Sequence, residues 1–412
     1  MPALSERLVL ALVVLGDRLA PKHDEVVVRT GPDFDDQGRE MVAALLRAGI
    51  GPVTVLAAGG ADPGLVGPLG CRVLSVRSFA GIRAFWRARV VVHSHGVFGS
   101  RATSRRKVFV NVWHGMPIKR LEAGSDVGRY QTSWTIATAQ VHADHLAETW
   151  NLTPDQVVIT GLPRNDVLVR EAGAPRPGRL RAFAGDGPLV AWLPTFRTNV
   201  ATTAGAVVDG VDAGTVTQFA GATPEVVDAL MARLGLHAII KPHPLAPRPD
   251  RAEFPNLQVW ADVDLADAGL TLYRLLAHAD IVITDHSSVW IDYLLVQRPM
   301  VFAVSDFAEY AETRGFYFSS VPDLLPGPMV IDLAGLEAAL AAAVAGDDGW
   351  EDRRRDALER HHVHPDAHSA DRVAALVGDV LAGRRRHRSG DGDPAVSRSS
   401  AVAATAGGQG SP

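Results

Sequence analysis

VFVNVWHGMPIKRL, residues 108–121, is the stretch on which the fold turns. Val108–Val112 is an apolar run with the composition of a strand buried on both faces. It stops abruptly at Trp113, His114 and Gly115, and Pro117 and Lys119 follow at once. Doubly wound α/β sheets bind ligands outside the carboxyl ends of their strands. A histidine at such an end, left uncovered by a glycine and held by a proline turn, is therefore a candidate catalytic imidazole. The plainer alternative is a hydrogen-bonded histidine at the edge of the core.

Working outward, the same pattern recurs. VVVRT (26–30) precedes a helical stretch through Arg39–Ala48, and strand runs follow at 53–58, 71–76, 88–94, 108–113, 135–139 and 156–161. Strands spaced by amphipathic helices argue for parallel βαβ units. EAGAPRPGRLRAFAG (171–185) reads as a linker, and the pattern restarts at 189–195, 237–244, 257–261, 280–288 and 300–304. Helices are expected near 223–234, 271–278 and 288–296, with 198–222 as a long loop. Two similar α/β halves result: a domain over 1–175, a second over 186–382, and a low-complexity tail over 383–412 expected to be disordered. A helical pattern at 350–382 has the length to cross back to the first domain.

Composition narrows the classes. The chain has 412 residues, 47% hydrophobic and 21% charged, with a net charge of −5, so nucleic acid is not expected as a partner. The single Cys71 excludes an intramolecular disulfide framework and fits a reducing compartment. LVLALVVL (8–15) is too short to span a bilayer and lacks a cleavage site. It reads as a buried strand or helix, with an interfacial anchor as the alternative. No Walker A and no G-x-G-x-x-G follows a first strand.

The strand ends carry the chemistry. The first half offers His114-Gly115 and the loop-like GLPRND, with Arg164, Asn165 and Asp166. The second offers Thr195 and Arg197 in PTFR, Lys241 and His243 in KPHP, and Asp285, Ser287 and Ser288 in TDHSS. Ser287 and Ser288 stand where a strand hands over to a helix, a position suited either to plain capping or to a phosphate. Lys241 is one of only four lysines and could neutralise a diphosphate. His93 and His95, and the run His361, His362, His364 and His368, lack the spacing and carboxylates of a metal motif, so no metal is expected.

Taken together and in order, WHGMPIKRL, ITGLPRNDVL, WLPTFR, IIKPHP, ITDHSSVWIDYLLVQRPMVF and DFAEYAETRGFYFS resemble the CDP-glycerol glycerophosphotransferase family of teichoic-acid synthesis, over roughly residues 90–375. The resemblance implies two facing Rossmann-like domains of GT-B type around a cleft, with the donor nucleotide held mainly by the second. It implies transfer of glycerol phosphate, or a related polyol phosphate, from a CDP-polyol to a lipid-linked or polymeric hydroxyl, with release of CMP and no cofactor. It also implies a peripheral enzyme at the cytoplasmic face of the membrane. By the resemblance His114 is the base and His243 the second essential histidine, with their roles open to exchange. Ser287 and Ser288 cradle the diphosphate, Arg314 and Gly315 match the RGFYF element near the donor, and Ser369 and Arg372 match a C-terminal Ser/Arg pair. Met116 and His286 depart from the family's usual Thr and Tyr.

A phosphoryl transfer needs cations and donors around a diphosphate and a base for the attacking hydroxyl. A neutral imidazole suits the second task near neutral pH. The basic run SRATSRRKVF (100–109) is the sequence's candidate contact with an anionic membrane surface. The alternatives are a GT-B glycosyltransferase using a nucleotide sugar and a non-catalytic nucleotide-binding envelope subunit.

Overall fold

The computed structural model describes residues 4–59, 70–98, 104–118, 132–194, 200–201, 207–208, 219, 221–242, 253–305, 307, 316–318 and 323–385. Seven parallel strands make the first sheet: β1 (His23–Arg29), β2 (Val53–Ala57), β3 (Arg72–Ser75), β4 (Ala88–His93), β5 (Val108–Asn111), β6 (Trp134–Ala137) and β7 (Val157–Ile159). Their order is β3-β2-β1-β4-β5-β6-β7. β8 (Leu189–Leu193) opens the second half, and β9 (Val200–Ala201) pairs antiparallel with β10 (Val207–Val208). β11 (His237–Ile240), β12 (Leu257–Val259), β13 (Ile281–Thr284), β14 (Met300–Ala303) and β15 (Met329–Val330) join β8 in a parallel sheet ordered β12-β11-β8-β13-β14-β15. Both are doubly wound. Each has a switch point where the strand order reverses, at β1/β4 in one and β8/β13 in the other, and there a crevice opens for a ligand.

The runs that form these strands are β-branched and buried on both faces, as parallel sheets require. Val26, Val27 and Val28 in β1 and Ile281, Val282 and Ile283 in β13 are all out of solvent. The helices that position the site are α1 (Leu4–Leu19), α2 (Asp36–Arg47), α3 (Phe79–Arg87), α4 (Gln140–Trp150), α5 (Pro163–Glu171), α6 (Leu272–His278), α7 (Val289–Tyr293), α8 (Glu351–His361) and α9 (Ser369–Leu381). The Asp35 carboxylate caps α2 by accepting from the Gly38 amide at 3.0 Å.

The two halves do not simply face one another. α5 packs against α2 and α9, and also against α6 of the second half. One apolar cluster runs unbroken from Val26 and Leu45 through Leu168 to Tyr273, Trp290 and Val377. After the second sheet the chain returns: α8 lies on α4, and α9 covers α2, α5 and β4. The helical pattern at 350–382 thus crosses back.

Three expectations change. GLPRND is the first turn of α5 rather than a loop, because Pro163 sits at the position where its missing amide proton costs nothing. The linker 171–185 contains a helix, Gly178–Ala184. Residues 8–15 belong to α1, which buries only one edge. Val13 and Asp17 face inward, and the Trp86 indole of α3 donates to the Val13 carbonyl at 2.9 Å. Leu8, Leu12, Leu15 and Leu19, on the opposite stripe, are 52–77% exposed. Among the described residues no helix is long and apolar enough to cross a membrane.

Candidate active site

Gly115 is where the halves meet. A Cβ built there would stand 2.9 Å from Arg164 Nη2 and 2.9 Å from Ser288 Oγ, so the His114 loop, α5 and the TDHSS segment converge on one residue. The turn that brings them together is tight: Trp113 has φ of +50° and Gly115 of +139°. Only glycine tolerates the second value freely. Gln37 of α2 pins the strand end by donating to the Val112 carbonyl at 2.5 Å, and Asn111 Oδ1 accepts the Trp113 amide at 3.0 Å.

His114 is thereby thrown out of the sheet into the cleft, where its side chain is open to solvent although protein walls the recess around it. One ring nitrogen donates to the Ser94 carbonyl. The ring stacks on His95 at 4.4 Å between centroids, with 13° between planes. Enclosure by the recess, the second imidazole and the Arg164 guanidinium together disfavour the imidazolium and hold the His114 pKa well below the ordinary histidine range. A neutral ring donating through one nitrogen keeps a lone pair on the other.

Arg164 is the hub behind this loop. Its Nη1 donates to the His114 carbonyl at 2.7 Å and its Nη2 to Asp292 Oδ2 at 2.5 Å. Asp292 also accepts from Tyr273 Oη at 2.5 Å and from Asn165 Nδ2 at 3.1 Å. The Tyr273 ring lies under the guanidinium at 4.8 Å. Burial is the largest single influence and opposes the charge on Arg164, but Asp292, Tyr273 and Asp35 together overcome it and raise the pKa. The arginine is a fixed cation within reach of Ser288. On the donor side, Ser288 occupies the cap position of α7 without a side-chain capping bond, while Ser287 Oγ accepts the Val289 amide at 3.3 Å. Capping therefore leaves the Ser288 hydroxyl available. Asp285 and His286 are buried at the β13 end, His286 beside the stacked rings of Phe307 and Phe316 at about 6 Å from each. The next residue, Tyr317, donates its amide to the Ile118 carbonyl at 2.9 Å and closes the second half over the His114 loop.

Other expected residues have different surroundings. Asp166 accepts the amides of Ser369 and Ala370, both at 2.8 Å, and so caps α9. Burial pushes its carboxyl up to about 6. Arg372 pairs with Asp366, and Lys241 with Asp262 at 2.9 Å. Lys119, Thr195, Arg197, His243, Arg314 and Gly315 lie outside the described residues. Sequence reasoning missed Asp292, Tyr273 and His95. Asp292 had a signal, since it follows Ser288 by four residues on one helix face. His95 had a weaker one, being weighed only as a metal ligand. Among the described residues no three His, Cys, Asp or Glu side chains are grouped to hold a metal ion.

Two doubly wound halves whose strand ends converge at Gly115 have an architecture of GT-B type. Residues 64–379 match the model of the CDP-glycerol:poly(glycerophosphate) glycerophosphotransferase family, and the chain belongs to that family. It is 26% identical over 260 residues to a teichoic acid ribitol-phosphate primase of Bacillus spizizenii, covering 60% of this chain and 59% of the relative. To the teichoic acid ribitol-phosphate polymerase TarK of Staphylococcus aureus it is 25% identical over 288 residues, covering 66% and 52%. The chain thus spans less than two thirds of the length of these curated relatives. Its fold is similar to that of the wall teichoic acid polymerase TagF, with a TM-score of 0.71 at 18% identity over 92% of this chain and 94% of the other.

Proposed function

We propose that the protein transfers a polyol phosphate, glycerol phosphate or ribitol phosphate, from its CDP-linked donor to a hydroxyl of a lipid-linked or polymeric acceptor, releasing CMP. The observation that carries this reading is the convergence at Gly115, where the His114 loop of one half meets Ser288 and the Arg164 cation. The acceptor hydroxyl attacks the polyol-side phosphorus, the bond to the CMP oxygen breaks, and the hydroxyl proton passes to the free nitrogen of His114. Arg164 and the serine hydroxyls offset the charge that spreads over the transferring group. A diphosphate in the recess brings negative charge beside His114 and raises its proton affinity towards the neutral range. His243, Lys241, Arg314 and Gly315 complete the donor side in this reading, with His243 on the transferring phosphate or the leaving CMP. Lys119, Thr195 and Arg197 flank the donor or acceptor.

We place the enzyme peripherally on the cytoplasmic face of the cell membrane. α1 supports this with its exposed leucine stripe and with Phe79 of α3, 72% exposed. The basic run lies against the same helix. Asp17 of α1 accepts the Ser104 amide at 2.9 Å and pairs with Lys107 at 2.6 Å, which leaves Arg105 and Arg106 exposed beside it. Leucines flanked by arginines suit an anionic bilayer surface.

The reading is tested by incubating the protein and vesicle-bound acceptor with CDP-glycerol, CDP-ribitol and common nucleotide sugars. CMP release from a CDP-polyol is expected; a nucleoside diphosphate released from a sugar donor instead would replace the reading with glycosyl transfer.

A further inference from the structure

The motif His93-Ser94-His95-Gly96 belongs to no step described above, yet it lies at the switch point of the first sheet. β1 and β4 run side by side, Arg29 opposite His93, and then diverge. In that gap the Gly31 amide donates to Ser94 Oγ at 3.0 Å, and the same hydroxyl stands 2.8 Å from His95 Nδ1. Ser94 is buried, so its hydroxyl is a fixed hydrogen-bond partner for His95 Nδ1 and holds that edge of the ring in place. A Cβ at Gly31 would come within 3.0 Å of His95 Nδ1, so the glycine gives the ring its place.

His114 is therefore held twice by one dipeptide. The Ser94 carbonyl takes its ring proton, and the His95 ring lies parallel on its face. The first contact decides which nitrogen of His114 carries the lone pair. The second decides the plane in which that lone pair points.

We propose that His95 is a positioning residue for the reaction, a neutral imidazole platform whose stacking aims the free nitrogen of His114 at the acceptor hydroxyl. The proposal rests on the reading of His114 as base. The charged groups that face the pair are Arg29 at the end of β1, paired with Asp33 in the loop beyond it, and Arg164, with Asp292 and Asp35 behind it. Two cations and a second ring leave room for one added proton, a single imidazolium, on the pair. Recess burial and Arg29 keep the His95 pKa below its ordinary value, so the proton taken from the acceptor resides on His114 and leaves to solvent.

Variants His95→Ala and His95→Phe separate platform from bulk, and His95 is exposed, so neither substitution empties the core. Nitrogen-edited NMR of the imidazoles reads His114 without any turnover. In His95→Ala the His114 titration is expected to move up and its tautomer signature to blur. In His95→Phe the ring stays ordered while the titration still moves up. In transfer assays kcat should fall about tenfold to a hundredfold in His95→Ala with KM for the CDP-polyol unchanged, and recover in His95→Phe. An unchanged His114 titration together with unchanged kcat in His95→Ala would overturn the proposal. Wild-type protein that binds but never turns over a CDP-polyol, with the NMR shifts as expected, would instead remove the transfer reading and leave the platform standing.

Discussion

Arg164 and Asp292 join the two halves of the molecule by a 2.5 Å ion pair, with side-chain exposures of only 13% and 1%. The same guanidinium holds the carbonyl of His114, so the bond that closes the interface also sets the loop carrying the imidazole. Removing one partner of a buried pair strands the other charge and costs about 3–5 kcal/mol. Asp292→Ala is expected to lower unfolding stability by that amount in urea titration. Arg164→Lys keeps the charge but loses the fork, and kcat should drop about tenfold with the stability change smaller than in Asp292→Ala. Equal stability of Asp292→Ala and wild type would show that the pair does not hold the halves together.

Gly115→Ala adds one methyl group where there is no room. Its Cβ would press at 2.9 Å on Arg164 Nη2 and Ser288 Oγ, at a backbone φ of +139° that side chains avoid. The loop must move, so transfer is expected to fall at least about a hundredfold while the circular dichroism spectrum stays unchanged. Wild-type activity in Gly115→Ala would mean that the cleft is wider in solution than the contact at Gly115 requires.

Acid should unfold this protein through its histidines. His142 Nε2 lies 3.0 Å from His361 Nδ1 under α8, and His362 donates to the Ile291 carbonyl at 2.7 Å. Burial lowers all three pKa values, and neighbouring imidazoles add to the lowering of His142 and of His361, the latter to about 3. Because the folded values lie below the ordinary 6.5, the unfolded chain binds more protons in between. This contribution to stability is therefore complete above about pH 6.5 and lost as pH falls towards 3. Asp35 and Asp166, both raised to about 6 by burial, act in the opposite sense, favouring the folded state below that pH. The histidines are more numerous, so Tm should fall between pH 7 and 5, and a His142→Phe/His361→Phe variant should fall less. Parallel Tm curves for the two proteins would contradict this.

Membrane attachment through α1 makes a separate demand. Replacing Leu12 and Leu15 by Glu changes only exposed positions and should abolish co-sedimentation with anionic vesicles while leaving Tm within about 1 °C. Wild-type binding should weaken with salt because Arg105 and Arg106 contribute. Retained binding in the double Glu variant would place the contact elsewhere.

The parallel architecture was legible because buried β-branched runs leave few alternatives to a doubly wound sheet. The strand ends were legible as well, since polar residues collected where such sheets bind ligands. The GLPRND stretch misled because proline marks both loops and helix starts. α1 misled because apolar composition does not say which side of a helix finds a partner. His95 and Asp292 escaped for a deeper reason: their roles arise from neighbours distant in the chain. His95 meets His114 only because β4 pairs with β5, and Asp292 meets Arg164 only because α5 docks on the second half.

The most direct test of His114 as base is CMP release by purified, folded His114→Ala, with whichever CDP-polyol the wild type consumes. A general base at this position predicts a fall of about 10²–10⁴ in single-turnover rate with donor affinity within a few-fold of wild type. A rate within a few-fold of wild type would contradict it.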